Sequence, residues 1–380
     1  MFSSTHIEEA VAWRHDLHRH PEIAFKEKRT SDLIARLLDE WGWNVSRGLA
    51  TTGVVATLGD GSGPRLGLRA DIDALPIREA TGLKYASAIP GMMHACGHDG
   101  HTSMLLLAAR QIASEGMKGG TVRLIFQPAE EAEGGARVMV EDGLFEQFPC
   151  DAIYGIHNWP GLAPGRMVAR GADMMAAFAV FDITITGKGG HGAMPEQSDG
   201  VIAAASRIAA AAQEIPARSL SPLTPGVLSI TQIHSGSAYN ICPDRASLAG
   251  TARWFDADAG DILERRLEEI ARGLGAAYGC TVDIDYQRRY PATINTAGEA
   301  AIARGIGDAM GLDTATADPS MASEDFAFML ERVPGAYIWL GGGREGNNPG
   351  LHAPTYDFND AILPTGAEFW VRMARRWAGH

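Results

Sequence analysis

Residues 95–101 read Ala-Cys-Gly-His-Asp-Gly-His, and runs that predict β-strands lie on both sides of this stretch. The strand before it covers residues 66–70, and the strand after it covers residues 121–126. An apolar run at 102–112 predicts a helix directly after the quoted residues. Alternating strands and helices are typical of an α/β sheet, so we predict an α/β fold with a mixed sheet. Sites in such sheets lie beyond the carboxyl ends of the strands.

The N-terminal part of the chain predicts one long helix and one more strand. Residues 6–43 are predicted to be helical, because Ile34, Leu37, Leu38 and Trp41 fall on one face at helical spacing. A strand is predicted at 54–58, followed by a glycine-rich turn.

The pattern changes near residue 178 and predicts an inserted small domain. Its elements follow a β-α-β-β-α-β order, which is typical of a ferredoxin-like unit. We therefore predict one α/β domain formed by residues 1–177 and 289–380, with a small domain inserted at 178–288. The predicted elements of the insertion are strand 180–186, helix 201–215, strands 227–233 and 246–255, helix 259–278 and strand 281–286.

Composition and charge exclude several classes of protein. The chain has 380 residues, of which 46% are hydrophobic, and this length suffices for two domains with their own cores. A net charge of −13 argues against a nucleic-acid or membrane partner, and the four widely spaced cysteines do not form a disulfide framework. Glu8, Glu9 and Arg14 stand where a signal peptide would need apolar residues, and no uncharged apolar stretch has membrane-spanning length. We expect a cytoplasmic protein.

The segment from His94 to His101 predicts a metal site. It holds three histidines, one aspartate and one cysteine within eight residues, which side-chain packing alone does not explain. Cys96 and His98 lie two residues apart, and Zn²⁺ binds both thiolate and imidazole.

Glu130 and Glu131 form a carboxylate pair that follows a predicted strand and Pro128. A charge pair is commonly just solvated, but acids beyond the carboxyl end of a strand indicate a site. Adjacent side chains of extended backbone point in opposite directions. We therefore expect one carboxylate to bind metal and the other to face the water that the metal activates.

Four other residues allow two interpretations each. His157 and His352 lie in segments that contain proline, and each is as easily a structural histidine as a ligand. Asp71 and Asp73 follow a predicted strand, where they either cap it or orient a ligating imidazole.

Residues 187–192 match the pattern G-x-G-x-x-G but predict no nicotinamide site. The preceding strand belongs to the inserted domain, and the acid expected about 20 residues later at the end of a second parallel strand is absent. The chain also lacks the H-E-x-x-H, P-loop and G-x-S-x-G motifs, so zincin, NTPase and serine-hydrolase functions have no support.

Taken together, these segments resemble the M20 metallopeptidase family in its amidohydrolase branch, which includes hippurate hydrolases, N-acyl-amino-acid hydrolases and auxin-conjugate hydrolases. The resemblance covers nearly the whole chain. The motifs that carry it are residues 14–22 (RHDLHRHPE), 68–76 (LRADIDALP), 93–101 (MHACGHDGH), 126–131 (FQPAEE), 157–160 (HNWP), 189–191 (GGH), 323–326 (SEDF) and 352–360 (HAPTYDFND).

The resemblance implies a site for two divalent metal ions in an α/β catalytic domain formed by residues 1–177 and 289–380. It also implies that the inserted domain at 178–288 is a lid or dimerisation domain. Glu130 takes the position of the general base. His191 matches a lid histidine that approaches the scissile carbonyl, in many relatives from the partner subunit. Asn240 and Arg253 match lid positions near the substrate. The ligands that the resemblance implies are Cys96, His98, Glu131, His157 and His352.

The activity implied is metal-dependent hydrolysis of N-acyl amino acids of the hippurate or N-acetyl type by a homodimer. Zn²⁺ is the favoured ion, with Mn²⁺, Ni²⁺ or Co²⁺ as alternatives. A dipeptidase or aminopeptidase of the same family is the alternative enzyme, although the Cys96 motif belongs to the amidohydrolase branch. A metal-binding protein without catalysis is a third possibility, which the intact Glu130, Glu131 and His191 argue against.

Overall fold

The structure is a computed structural model, and its described residues form two compact units. Unit 1 comprises Met1–Met174, Thr293–Asp318 and Asp325–His380, and unit 2 comprises Met175–Ala292 and Pro319–Glu324. Unit 2 contains all of residues 178–288, and the predicted role of this segment as a lid stays a prediction. The described residues are 2–59, 61–117, 119–131, 133–346 and 348–378.

Helices and strands are numbered here along the chain. The helices are α1 Ser4–Arg19, α2 Lys28–Glu40, α3 His98–Glu115, α4 Gly135–Glu141, α5 Leu144–Gln147, α6 Val201–Ser219, α7 Ala257–Ala277, α8 Ala297–Ala309, α9 Ala327–Leu330 and α10 Leu363–Trp377. The strands are β1 Asn44–Arg47, β2 Val54–Gly59, β3 Arg65–Asp71, β4 Thr121–Gln127, β5 Ala152–Trp159, β6 Met167–Val168, β7 Asp173–Met175, β8 Ala177–Thr186, β9 Gly190–His191, β10 Gly226–Ser235, β11 Ile241–Cys242, β12 Arg245–Trp254, β13 Thr281–Tyr290, β14 Thr293–Ile294 and β15 Gly335–Gly341.

Unit 1 is built on a seven-stranded sheet in the order β1-β2-β4-β3-β5-β15-β6. Strands β4, β3, β5 and β15 are parallel neighbours, whereas β1, β2 and β6 pair antiparallel. The predicted α/β fold with a mixed sheet is therefore confirmed. Because parallel strands end at the same edge, the segments after β3, β4 and β5 lie side by side there.

The parallel strands are covered on both faces, which explains their nearly continuous apolar sequences. Every residue of β15 is buried, as are all residues of β5 except Trp159. Helix α3 is also buried around its circumference, since the successive residues Leu105, Leu106 and Leu107 are all fully buried. Burying each such side chain stabilises the fold by roughly 1.5–3 kcal/mol.

The prediction of one helix over 6–43 is wrong, because α1 and α2 are separate helices. Pro21 disfavours helical backbone at His20, where α1 is capped with φ −126° and ψ 58°. Phe25 then adopts the left-handed φ of 59°, and α2 begins at Lys28. The helix predicted at 102–112 is real but begins four residues earlier, at His98.

Unit 2 contains a four-stranded antiparallel sheet in the order β10-β12-β8-β13, with helices α6 and α7 packed against it. The element sequence is β8-α6-β10-β12-α7-β13. This is the β-α-β-β-α-β order of a ferredoxin-like unit. Across the described ranges of both units, we find no helix that combines the length and hydropathy of a membrane span.

Gly100 in the first turn of α3 has no room for a side chain. A Cβ atom there would collide with the ring of the fully buried Phe358. We expect Gly100→Ala to lower the free energy of unfolding by about 1–3 kcal/mol, the usual cost of overpacking. Gly305 of α8 is the matched control, since nothing lies within 4 Å of its Cβ position. Urea unfolding should show Gly305→Ala neutral or stabilising; equal losses in both variants would refute the packing argument.

Candidate metal centre

Cys96 and His98 are brought to the sheet edge by the start of α3. Gly97 caps this helix with a left-handed φ of 91°, and His98 is its first residue. A side chain at residue 97 would collide with Asn158 and Tyr356. A glycine is therefore required between the two candidate ligands, since it supplies both the backbone conformation and the close approach.

The five candidate ligands converge at this edge. Donor atoms of Cys96, His98 and Glu131 all lie within 4.8 Å of one another. His157 Nε2 lies 3.3 Å from Cys96 Sγ, and His352 Nε2 lies 3.3 Å from Glu131 Oε1. His352 is the outermost member, with 52% of its side chain exposed, whereas Cys96, His98 and His157 are buried.

His98 provides the test of whether these residues fit a metal ion. Its Nε2 is buried and has no hydrogen-bond partner in the part of the chain that the structure describes. The nearest carboxylate oxygens are Asp71 Oδ2 at 3.7 Å and Glu131 Oε1 at 3.9 Å. A buried imidazole nitrogen without a partner is costly, and a divalent cation between it and the carboxylate would satisfy both. The residues therefore fit a divalent metal.

The electrostatics of the site also favour a bound divalent cation. Burial, together with Glu131 and Glu130, raises the pKa of the Cys96 thiol well above its usual range. Burial alone would lower the pKa of His98, but Asp71 and Asp73 outweigh it and raise the pKa to about 10. This surplus of negative charge favours bound protons when no cation is present. A divalent cation would replace those protons and favour the thiolate.

His101 lies beside the candidate ligands but does not qualify as one. It belongs to a second possible donor group with Asp71, His98 and His157. The backbone N–H of Asn158 donates to His101 Nε2 at 2.9 Å, so the ring proton sits on Nδ1 and is donated to Asp71 Oδ1 at 2.6 Å. Both ring nitrogens are thereby used, and His101 supports the site instead of binding metal.

Asp73 connects two candidate ligands. Its carbonyl oxygen lies 3.0 Å and its Oδ1 lies 3.2 Å from His98 Nδ1. Its Oδ2 accepts a hydrogen bond from the backbone N–H of Glu131 at 3.0 Å. An acceptor at Nδ1 leaves Nε2 as the nitrogen that can coordinate a metal ion.

The carboxylate pair lies in a turn and not in extended backbone. Strand β4 ends at Gln127, and Ala129 adopts the left-handed φ of 55°. The argument that extended backbone separates the two side chains is therefore wrong. The side chains diverge because of the turn: Glu131 faces Cys96 and His98, whereas Glu130 Oε1 accepts from the backbone N–H of Asp325 at 3.4 Å.

His352 also has strained backbone, with a φ of 64°. Its N–H donates to the carbonyl of Ala95 at 2.8 Å, which ties this loop to the segment that carries Cys96. Left-handed conformations at non-glycine residues are concentrated at functional sites, where surrounding contacts enforce them.

Sequence reasoning missed a buried network beneath the site. Arg69 donates to Asp71 Oδ2 at 2.8 Å, to Gln127 Oε1 at 2.7 Å and to Asp325 Oδ1 at 3.2 Å. Gln127 in turn donates to both oxygens of Asp325 at 2.9 Å. The signal was an arginine inside an otherwise apolar strand, because a fully buried guanidinium needs several acceptors.

The three predicted lid residues all belong to unit 2. His191 lies on β9 with an exposed side chain, and its Nδ1 accepts from the N–H of Ala193 at 3.1 Å. Asn240 is also exposed. The Arg253 guanidinium lies 3.9 Å from the ring centroid of Phe178, and burial lowers its pKa to about 10.

A second buried cluster joins His18 of α1 to α3, and it predicts a pH effect on stability. His18 Nδ1 lies 2.8 Å from Asp99 Oδ2, and its Nε2 lies 3.4 Å from Glu79 Oε1. Burial would lower the pKa of His18, but these two carboxylates outweigh it and raise the pKa from 6.5 to about 9. The charged His18 stabilises the fold through these two carboxylates. This contribution is fully present below pH 6.5 and disappears as the pH rises towards 9.

We therefore expect His18→Gln to cost more stability at pH 6 than at pH 10, by on the order of 3 kcal/mol. Urea unfolding of both metal-stripped proteins at the two pH values measures the difference. If the substitution costs the same at both, His18 is not charged in the folded protein.

Comparisons with known proteins identify relatives of this chain. The model of "Peptidase family M20/M25/M40" matches residues 67–376. A hippurate hydrolase of Campylobacter jejuni is 38% identical over 368 residues, which cover 96% of this chain and 95% of that protein. An N-acetylcysteine deacetylase of Bacillus subtilis is 36% identical over 96% of this chain and 95% of its own length. An IAA-amino acid hydrolase of Arabidopsis thaliana is 35% identical over 97% of this chain and 85% of its own length.

Among solved structures, a dinuclear metal binding peptidase of the M20 family from Bacillus subtilis superposes with a TM-score of 0.85. It is 32% identical, and the match covers 98% of both chains. The fold, the donor set and these relatives define a metal-dependent amidohydrolase. The chain belongs to peptidase family M20/M25/M40, and its relatives confirm the predicted amidohydrolase branch.

Proposed function

We propose that this enzyme hydrolyses the amide bond of N-acyl amino acids of the hippurate or N-acetyl type, releasing a carboxylic acid and an amino acid. The observation that carries the proposal is the convergence of five donor side chains beside a buried carboxylate, Glu130. The names of the three relatives describe substrates of this kind.

The proposed centre holds two divalent ions, and the solved relative described as dinuclear supports this number. Thiolate and imidazole donors favour Zn²⁺, with Mn²⁺, Ni²⁺ and Co²⁺ as alternatives. Bound ions would supply Lewis acidity, which polarises an amide carbonyl and acidifies water. Asp73 lies against Nδ1 of His98, and Asp71 lies against Nδ1 of His101. These contacts are proposed to position the centre. The proposed ligands are Cys96, His98, Glu131, His157 and His352.

Glu130 is the proposed general base. The residue is only 7% exposed, and its side chain leaves the same turn as that of the candidate ligand Glu131. In this role its carboxylate removes the proton from the attacking water. It then delivers that proton to the leaving amine, so that one residue serves both halves of the reaction.

Residues of unit 2 are proposed to complete substrate recognition. An exposed imidazole at His191 can donate to the oxyanion of the tetrahedral intermediate, and a guanidinium at Arg253 can pair with the substrate carboxylate. Asn240 is proposed to lie near the substrate. As the family resemblance implies, His191 would act from the lid of a partner subunit.

A homodimer fits the surface of unit 2. Strand β10 is an edge strand of its sheet, and edge strands can pair with a second copy. Large apolar side chains are exposed at Ile233 of β10 and at Tyr239 and Ile241 in the segment that joins β10 to β12. Sedimentation should show a dimer. Mixing His191→Ala with Glu130→Gln subunits should restore part of the activity if the histidine acts across that dimer.

The proposed substrate class is tested with hippurate, a panel of N-acetyl amino acids and unblocked dipeptides. We expect hydrolysis of the acylated substrates, loss of activity with a chelator, and recovery when Zn²⁺ or Mn²⁺ is added back. Preference for dipeptides would favour the dipeptidase alternative. Metal binding without hydrolysis of any substrate would contradict the enzymatic proposal.

A further inference from the structure

Glu27 is a fully buried carboxylate that the proposed reaction does not use. It lies directly before α2, and its two oxygens accept hydrogen bonds from three different segments. Oε1 accepts from the backbone N–H groups of Phe25 and Ala129, both at 3.0 Å. Oε2 accepts from the hydroxyl of Thr52 at 2.6 Å.

All three segments contain left-handed backbone at residues other than glycine. Phe25 has a φ of 59°, Ala129 has a φ of 55°, and Thr51, which precedes Thr52, has a φ of 70°. Side chains make this conformation unfavourable, so it persists only where neighbouring contacts enforce it. Glu27 makes such a contact directly with Phe25 and Ala129, and with Thr52 next to the left-handed Thr51.

Ala129 links this carboxylate to the proposed chemistry. It immediately precedes Glu130 and Glu131, and its side chain is fully buried. Its N–H is held by Glu27, while its carbonyl accepts from the N–H of Gly135 at 2.9 Å. The peptide groups on both sides of Ala129 are therefore fixed, and the direction in which the next two carboxylates leave the turn is fixed with them.

We propose that Glu27 is a positioning residue for the amidohydrolase reaction, acting through the backbone of Ala129 to hold Glu130 and Glu131 in place. This inference rests on the roles proposed above for those two carboxylates. Glu27 touches neither substrate nor metal in this role.

Glu27→Ala and Glu27→Gln separate positioning from simple stability. The alanine variant removes the acceptor of the Ala129 N–H. We expect its kcat and its metal affinity to fall by about 10- to 100-fold, as for other residues that support metal ligands, so that its metal content at limiting metal falls as well. KM should change little, because the loss affects the transition state more than substrate binding.

Glutamine keeps one oxygen for the two N–H groups and can donate its amide to the Thr52 hydroxyl. Burial raises the pKa of Glu27 to about 7, so a neutral side chain is tolerated there and Glu27→Gln should stay near wild-type kcat.

Thr52→Val is the matched control, since it removes a bond to the same carboxylate but leaves Ala129 untouched. It should lower the unfolding temperature without changing kcat or metal content.

If Glu27→Ala does not fold, Glu27→Asp shortens the side chain by one methylene and should still lower kcat several-fold. Wild-type kcat and metal content in the folded alanine or aspartate variant would overturn the proposal, as would equal kcat losses in Thr52→Val. Metal content tests the positioning role of Glu27 separately from the proposed substrate class. It can be measured even if the wild-type enzyme fails to hydrolyse N-acyl amino acids.

Discussion

Replacing Glu130 with glutamine should reduce kcat for an N-acyl amino acid by about 10²- to 10⁴-fold, the usual cost of losing a general base. Glutamine has almost the same volume and can still accept the Asp325 N–H, so the turn should keep its shape. The amide cannot take a proton from water, however, and the attacking nucleophile would no longer be activated. Metal content should remain at the wild-type level, because Glu131 and not Glu130 faces the candidate ligands.

Glu133→Gln is the control for this prediction, since it makes the same chemical change three residues later at an exposed position. Its kcat should match wild type. Steady-state kinetics and metal analysis of both variants at one pH test the role of Glu130 as general base. A Glu130→Gln enzyme with its metals and wild-type kcat would show that another group acts as base.

Replacing Cys96 with serine should remove metal from the centre. A serine hydroxyl is a poor ligand, and the buried thiol lies 3.3 Å from His157 Nε2, so its loss affects two candidate ligands together. We expect metal affinity to fall at least by the roughly 10- to 100-fold typical of residues that only support a ligand. Activity at limiting metal should fall in proportion.

Cys150→Ser is the matched control, because Cys150 belongs to the same unit and its thiol donates to the carbonyl of Phe148. Metal analysis after dialysis should show full occupancy in this variant and reduced occupancy in Cys96→Ser. Unchanged metal content and unchanged activity in Cys96→Ser would refute the ligand role of the cysteine.

Several features of the fold could be predicted because they depend on residues close together in the chain. The apolar runs at 66–70 and 121–126 became β3 and β4, and the β-α-β-β-α-β pattern after residue 178 matches the elements of unit 2. The helix over 6–43 was predicted from hydrophobic spacing, which does not register a break in the backbone. Pro21 is a local signal for the end of α1 at His20, whereas the left-handed conformation of Phe25 is visible only in the structure.

For the site, the donor types could be predicted but the supporting contacts could not. Glu130 and Glu131 were selected by their position after a strand, yet the turn that separates them depends on Ala129 and on Glu27, 102 residues earlier. His101 uses both ring nitrogens in contacts with Asn158 and Asp71, whereas His98 keeps Nε2, and these contacts leave no pattern in the local sequence.

The sequence by itself determined the family, the class of reaction and the chemical types of the candidate metal donors. These properties are carried by short motifs, whose meaning does not depend on where the rest of the chain lies. The tertiary structure alone decided which histidines keep a nitrogen for metal, which way each carboxylate faces and what holds them there. The physical reason is that hydrogen bonds and coordination act over about 3 Å. Only folding brings residues that are tens to hundreds of positions apart within that distance.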